Sequence, residues 1–203
     1  MVSIVVDNVF AERSVALTVD DGPNGSDTRA VLDLLGEHGV RATFCLVGSR
    51  VRAPGGADLV RRIAREGHGL GNHAWSYADL GTWSSARVRE SLVATTAAIG
   101  EALGDPRPPV PWFRAPNGSW GRSAGVAREL GMRPLDVGAT IGDWLTQDVG
   151  GLVTALRRAV RPGGIVTVHD GGGDRSGTVA ALAEVVPELL AGGWRFTPPP
   201  ADG

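Results

Sequence analysis

Apolar and polar positions along the chain fall into two alternating periods. Short apolar runs rich in β-branched residues read as strands over 15–20 ("VALTVD"), 42–48 ("ATFCLVG"), 68–73 ("HGLGNH"), 111–116 ("PWFRAP"), 134–139 ("PLDVGA"), 164–170 ("GIVTVHD") and 194–198 ("WRFTP"). Between them, helical spacing covers about 26–38, 56–66, 83–103, 122–130, 150–160 and 177–191. Ser26 and Asp27 are candidate N-caps, and Gly39, Gly67, Gly104, Gly131 and Gly192 follow the helix ends. Strand, helix, strand in repetition predicts parallel strands joined by helical crossovers, an α/β architecture. Seven strands suit a barrel better than an open sheet. At 203 residues the chain is shorter than the roughly 250 of a full eight-unit barrel, which predicts a short or incomplete one. A doubly wound open sheet is the alternative. With no repeat and no linker, one domain is expected over 1–203.

Charge narrows the partners. A formal net charge of -2 and no block of like charge give no footprint for nucleic acid or for a membrane surface, so small or neutral substrates fit better. The N-terminal "MVSIVVDNVF" lacks a basic region and reaches Asp7 after a few apolar residues. No stretch has the roughly 20 apolar residues of a membrane span, and the expected location is cytoplasmic. The single cysteine, Cys45, lies in an apolar run, which rules out a disulfide framework. All 20 basic residues are arginine, which rules out Schiff-base lysine chemistry.

Polar residues gather where the expected strands end. In parallel α/β folds that edge carries the chemistry, because several loops converge on it. The first strand ends in "DDGP" (20–23), the third at His73, the fourth in "RAPNG" (114–118), and the sixth in "HD" (169–170), while "GDW" (142–144) follows the fifth. Taken singly, each has a plain structural explanation: a carboxylate turn, a hydrogen-bonded histidine, a surface ion pair. His38 and His68 sit beside glycines at helix ends and read as partners of the helix dipole. Five strand ends together describe a metal-assisted hydrolase, in which oxygen and imidazole donors suit a divalent ion such as zinc. Adjacent carboxylates at a strand end point to opposite sides, so one can hold metal while the other serves as base.

These motifs resemble, in order, those of the polysaccharide deacetylase family, also called the NodB homology domain or carbohydrate esterase family 4. "TVDDGP" is similar to T-F-D-D-G-P, "HAWSY" to H-S/T-x-x-H, "RAPNG" to R-P-P-Y-G, "GDW" to the D-W motif and "TVHD" to L-x-H-D. The resemblance runs from about 13 to 198. It implies a distorted (β/α)7 barrel and hydrolytic removal of an acetyl group from an acetylated sugar or small metabolite, with a divalent metal, expected to be zinc. It further implies Asp20 as catalytic base, Asp21 and His73 as metal ligands, and His169 as general acid. Arg114 would orient Asp20, and Asp143 would support His169. The Asn117 N–H would serve the oxyanion, and Trp144 and Val168 would line the acetyl pocket.

The chain departs from the pattern at Val19, at Ala115 and Asn117, and at Tyr77, which stands in the second histidine ligand position. A neutral phenol, with a pKa near ~10, is a poor ligand beside imidazole. Three outcomes follow from Tyr77. The metal is retained with Tyr77, water or Asp79 completing its shell; or the acid and base residues serve metal-independent elimination, cyclisation or isomerisation; or the chain binds carbohydrate without catalysis.

Overall fold

The computed structural model describes residues 13–199. The stretch 1–12, on which the expectation about export rests, lies outside the described residues, as do 200–203 of the expected single domain. In chain order the elements are β1 Ser14–Asp20, α1 Gly25–Glu37, β2 Thr43–Leu46, α2 Gly48–Val51, α3 Gly56–Arg65, β3 Gly69–Asn72, α4 Ser85–Leu103, β4 Trp112–Phe113, α5 Ser123–Glu129, β5 Arg133–Pro134, β6 Ala139–Thr140, α6 Val149–Ala159, β7 Ile165–His169, α7 Ser176–Ala191 and β8 Arg195–Phe196.

Every ladder is parallel, and the strand order is β5-β4-β3-β2-β1-β7-β6, with β8 paired only to the start of β1. Read round the ring, strands one to seven follow in sequence, and the ladder is open only between β5 and β6. This is the distorted barrel rather than the doubly wound sheet, whose order would reverse at a switch point. The expected strand 134–139 is therefore two short strands, one on each side of the seam. Gly138 makes the break: its φ is 64°, and a Cβ there would meet the Ile165 carbonyl at 2.5 Å. Side chains close the seam instead. Arg114 donates to the Leu135 and Asp136 carbonyls, and the Thr167 hydroxyl donates to the Val137 carbonyl.

Strand alternation sorts residues into two layers. Val15, Leu17 and Val19 of β1, Phe44 and Leu46 of β2, and Val166 and Val168 of β7 face the helices and join the main core. Ala16, Cys45, Trp112, Leu135 and Ile165 fill the barrel interior. Gly71 makes room for that inner layer, since a Cβ there would stand 3.0 Å from the Cys45 sulfur. On α4 the buried Val88, Leu92, Thr95, Ile99 and Ala102 recur at three- and four-residue spacing and cover the sheet. Ser84 caps α4 by accepting from the Arg87 N–H, and Gly104 ends it at φ 69°. Each fully buried side chain of this core, such as Phe44, contributes about 1.5–3 kcal/mol. Capping of α1 differs from expectation. Asn24 is the N-cap, while Ser26 and Asp27 lie inside the first turn. Past α7 it is Gly193, not Gly192, that takes the positive φ.

Candidate active site

Above the apolar inner layer the barrel interior turns polar, level by level. Thr18 and Thr167 share a hydrogen bond of 2.8 Å, and above them Asp20 and His169 are register partners on β1 and β7. Asp20 is only 3% exposed. The fully buried Arg114 donates from Nη1 to Asp20 Oδ1 and to Thr18 Oγ1, both at 2.8 Å. Burial alone pushes the Asp20 carboxyl up, but the charges of Arg114, His73 and His169 outweigh it and hold the group below the usual carboxylate range.

His169 is the opposite case. Its Nδ1–H donates to Asp143 Oδ1 at 2.8 Å, which fixes the tautomer and leaves Nε2 to the cleft. Asp143, fully buried, is held by the His169 backbone N–H at 2.8 Å and the Thr178 hydroxyl at 3.1 Å. Burial lowers the His169 pKa, but the bond to Asp143 and the charge of Asp20 prevail and raise it above the ordinary imidazole value. The interior thus places a carboxyl held below its ordinary range beside an imidazole raised above its own.

The metal side is built differently. His73 Nδ1 lies 2.9 Å from the Arg114 carbonyl and so carries its proton there, turning the Nε2 lone pair to the cleft. Nε2 is 3.4 Å from Asp21 Oδ1 and 3.9 Å from Asp20 Oδ2. Two ligands of a tetrahedral ion lie about 3.4 Å apart, so Asp21 and His73 fit one divalent ion. Both carboxylates face the same histidine, contrary to the expectation that they point apart. Asp21 takes φ 77°, which breaks the strand alternation and folds its side chain back. The turn is packed tightly behind it. A Cβ on Gly22 would meet Asp170 Oδ1 at 2.4 Å, and one on Gly171 would meet the Asp21 carbonyl at 2.3 Å.

A third donor is missing. Among the described residues no group of three His, Cys, Asp or Glu is disposed to hold a metal ion. Tyr77 stands over the site, yet its hydroxyl donates to the Asp21 backbone carbonyl at 2.9 Å and accepts from Arg50 Nε at 3.1 Å. Asp79 does not complete a shell either, being exposed and tied to the Ser119 hydroxyl and the Gly81 N–H.

The remaining expected residues divide. Asn117, at φ 56°, places its amide on the Tyr77 carbonyl at 3.0 Å, which fixes the loop that presents its N–H. Trp144 is 48% exposed and stands edge-on to His169, with ring centroids 5.3 Å apart. Val168 is not brought to the rim: strand alternation turns it to the helices, and Thr167 and His169 are the inward positions. Of the other tryptophans, Trp112 is buried, while Trp75, Trp83, Trp120 and Trp194 pack on the core. His68 is no dipole partner: it is buried, accepts the Ala42 N–H at 3.2 Å on Nδ1, and has its pKa lowered by that burial. Cys45 is a buried thiol whose pKa burial, then the charge of Asp20, pushes well up. Sequence reasoning gave no role to Arg50, Thr178 or Arg175. Arg175 is buried and bonds the carbonyls of Gly171, Asp143 and Asp174. Arg175 and Thr178 both follow closely on the "HD" strand end at 169–170 and could have been read from it.

The sequence pattern named Polysaccharide deacetylase matches residues 7–135. The chain belongs to the polysaccharide deacetylase family. Within this family it is 34% identical to the chitooligosaccharide deacetylase of Bradyrhizobium sp. (strain ANU 289), over 95% of this chain and 92% of that protein. It is 33% identical to a peptidoglycan-N-acetylglucosamine deacetylase of Bacillus cereus, over 91% and 85%. A family 4 acetyl xylan esterase from Clostridium thermocellum, solved with a cobalt ion, superposes with a TM-score of 0.82 at 33% identity, covering 92% of this chain and 88% of that one. Membership makes the chain a hydrolase of the deacetylase class.

Proposed function

We propose that the chain hydrolyses the acetyl amide of N-acetylglucosamine units of the chitooligosaccharide or peptidoglycan type. The observation that carries this is the pairing, on register partners of β1 and β7, of Asp20 held by Arg114 with His169 held by Asp143. A divalent ion held by Asp21 and His73 would polarise the acetyl carbonyl and acidify a bound water.

The chain's own residues divide the proton transfers. Asp20 Oδ1 is occupied by Arg114, so Oδ2 takes the proton of the attacking water as its oxygen bonds the acetyl carbon. The Asn117 N–H donates to the oxygen that gains charge. His169 Nε2 then gives its proton to the amine nitrogen as the C–N bond breaks, releasing acetate and the free amine. Asp143 keeps that imidazole oriented throughout. Trp144 lines the leaving-group side and offers an aromatic face to a sugar ring.

Acetate release from N-acetylglucosamine oligomers tests the reading. Asp20→Asn and His169→Ala should each lower the rate by at least about 10²-fold. Undiminished release by either variant sinks it. The closed hydroxyl of Tyr77 favours a second reading, in which the same pair works on a small metabolite without metal. A chelator separates the two: lost turnover supports the first, and full turnover supports the second.

A further inference from the structure

The Tyr77 hydroxyl gives its one proton and accepts one bond. The proton goes to the Asp21 carbonyl, and the oxygen takes the Arg50 Nε–H. The Arg50 guanidinium lies 5.8 Å from the centroid of the Tyr77 ring. Arg50 arrives from α2 and Tyr77 from the loop after β3, and the two segments are stitched together. The Ser49 N–H donates to the Trp75 carbonyl at 2.9 Å and the Gly48 N–H to the Ala74 carbonyl at 3.0 Å. The pair is therefore built into the fold rather than being a chance contact of two long side chains. For Tyr77 to become a ligand, the phenol would have to lose its proton and with it the bond to the Asp21 carbonyl, and the dication would arrive beside the Arg50 guanidinium.

The geometry points to Arg50 and Tyr77 as a latch that closes the third ligand position. The site at Asp21 and His73 is then a two-donor site, and the charge of Arg50 sets how weakly it holds a divalent ion. This inference rests on the deacetylase reading in taking Asp21 and His73 as the metal pair. What it adds is that affinity in this chain is governed by a residue that never touches the ion.

Titration of the full chain with Co²⁺, followed by its visible absorption, tests the latch without any turnover. Arg50→Gln keeps a donor for the phenol and removes only the charge, and should tighten Co²⁺ binding on the order of tenfold. Tyr77→Phe removes the hydroxyl and should leave affinity within a few-fold. Tyr77→His adds the third donor and should tighten binding about 100-fold. The chain has one tyrosine, so the ultraviolet band of a tyrosinate reports on Tyr77 alone, and none should grow on adding Co²⁺. A tyrosinate band together with Co²⁺ affinity lost in Tyr77→Phe would overturn the latch. So would an unchanged affinity in Arg50→Gln. Should Tyr77→His misfold, the other two variants still decide. Acetate release that persists while the affinities run in the wrong order removes the latch and leaves the deacetylase reading standing.

Discussion

The two halves of the site are held by different means. The acid–base half sits on regular strand positions, and each working group has a buried partner: Asp20 has Arg114, His169 has Asp143, and those partners are bonded in turn to Thr18, Thr178 and the seam carbonyls. The metal half sits on strained turns. The three non-glycine residues with positive φ among those described are Asp21, Ala74 directly after His73, and Asn117, whose amide holds the Tyr77 carbonyl. Strain of this kind costs about 1–3 kcal/mol per residue and persists only where surrounding packing imposes it. In this chain the Asp20–His169 half is braced by buried partners, whereas the half proposed to hold metal keeps its strained scaffold around two donors among the described residues. A change of donor set at the Tyr77 side would leave the hydrogen bonds of Asp20 and His169 in place, although the charge of His73 acts on Asp20.

Arg114 is where that independence ends, and its removal should have the largest effect. Arg114→Met leaves Asp20 buried without its main counter-charge and the Asp136 carbonyl without its donor. The expected cost is about 3–5 kcal/mol in denaturant unfolding. With the chief opposing charge gone, burial should lift the Asp20 carboxyl, so the acid limb of the rate profile moves to higher pH. Co²⁺ affinity should also change, because Asp20, which loses its counter-charge, lies 3.9 Å from His73 Nε2. Stability within about 0.5 kcal/mol of the unaltered chain would show that the buried pair is not what holds the interior together.

Asp143→Asn tests the separation itself. His169 loses the bond that orients it and raises its pKa, so kcat should fall about 10²-fold or more, and the alkaline limb should move to lower pH. The sign follows from the acid role: turnover needs His169 protonated, and a lower pKa ends that at a lower pH. Co²⁺ affinity should stay within a few-fold. A large loss of Co²⁺ binding in this variant would mean that the halves are one network.

How much could be read from sequence follows the same division. Strand-end residues on regular β-positions were legible, because period-two alternation and the parallel rule place Asp20, Arg114 and His169 together without further knowledge. The barrel ring was legible for the same reason. What failed depends on backbone that leaves the regular regions. The positive φ of Asp21 reverses the side that its carboxylate faces, and the break at Gly138 turns one expected strand into two. Val168 shows a misplaced inward position within an otherwise correct strand. Arg50 carried no signal at all, since it meets Tyr77 from 27 residues away through a contact that neither segment's pattern encodes.

The smallest expected effect concerns Asp170, at the junction of the two halves. It is fully buried against Gly22, takes the Thr28 hydroxyl on Oδ2 at 2.5 Å, and leaves Oδ1 without a hydrogen-bond partner among the described residues. Burial, followed by the charges of Asp21 and Asp20 and against the Thr28 bond, raises its pKa from 3.8 to about 7. A folded-state pKa above the unfolded value contributes stability that is fully present below the unfolded pKa and is lost as pH rises through the folded one. The ionised carboxylate therefore works against the fold above about pH 7. Asp170→Asn cannot ionise, so its stability relative to the unaltered chain should rise by about 1 kcal/mol or more between roughly pH 5 and pH 8. Thermal unfolding of both proteins across that window checks it. A constant difference between them would mean that Asp170 is already ionised at pH 5, and that the turn carrying Asp21 rests on a buried charge rather than on a neutral acid.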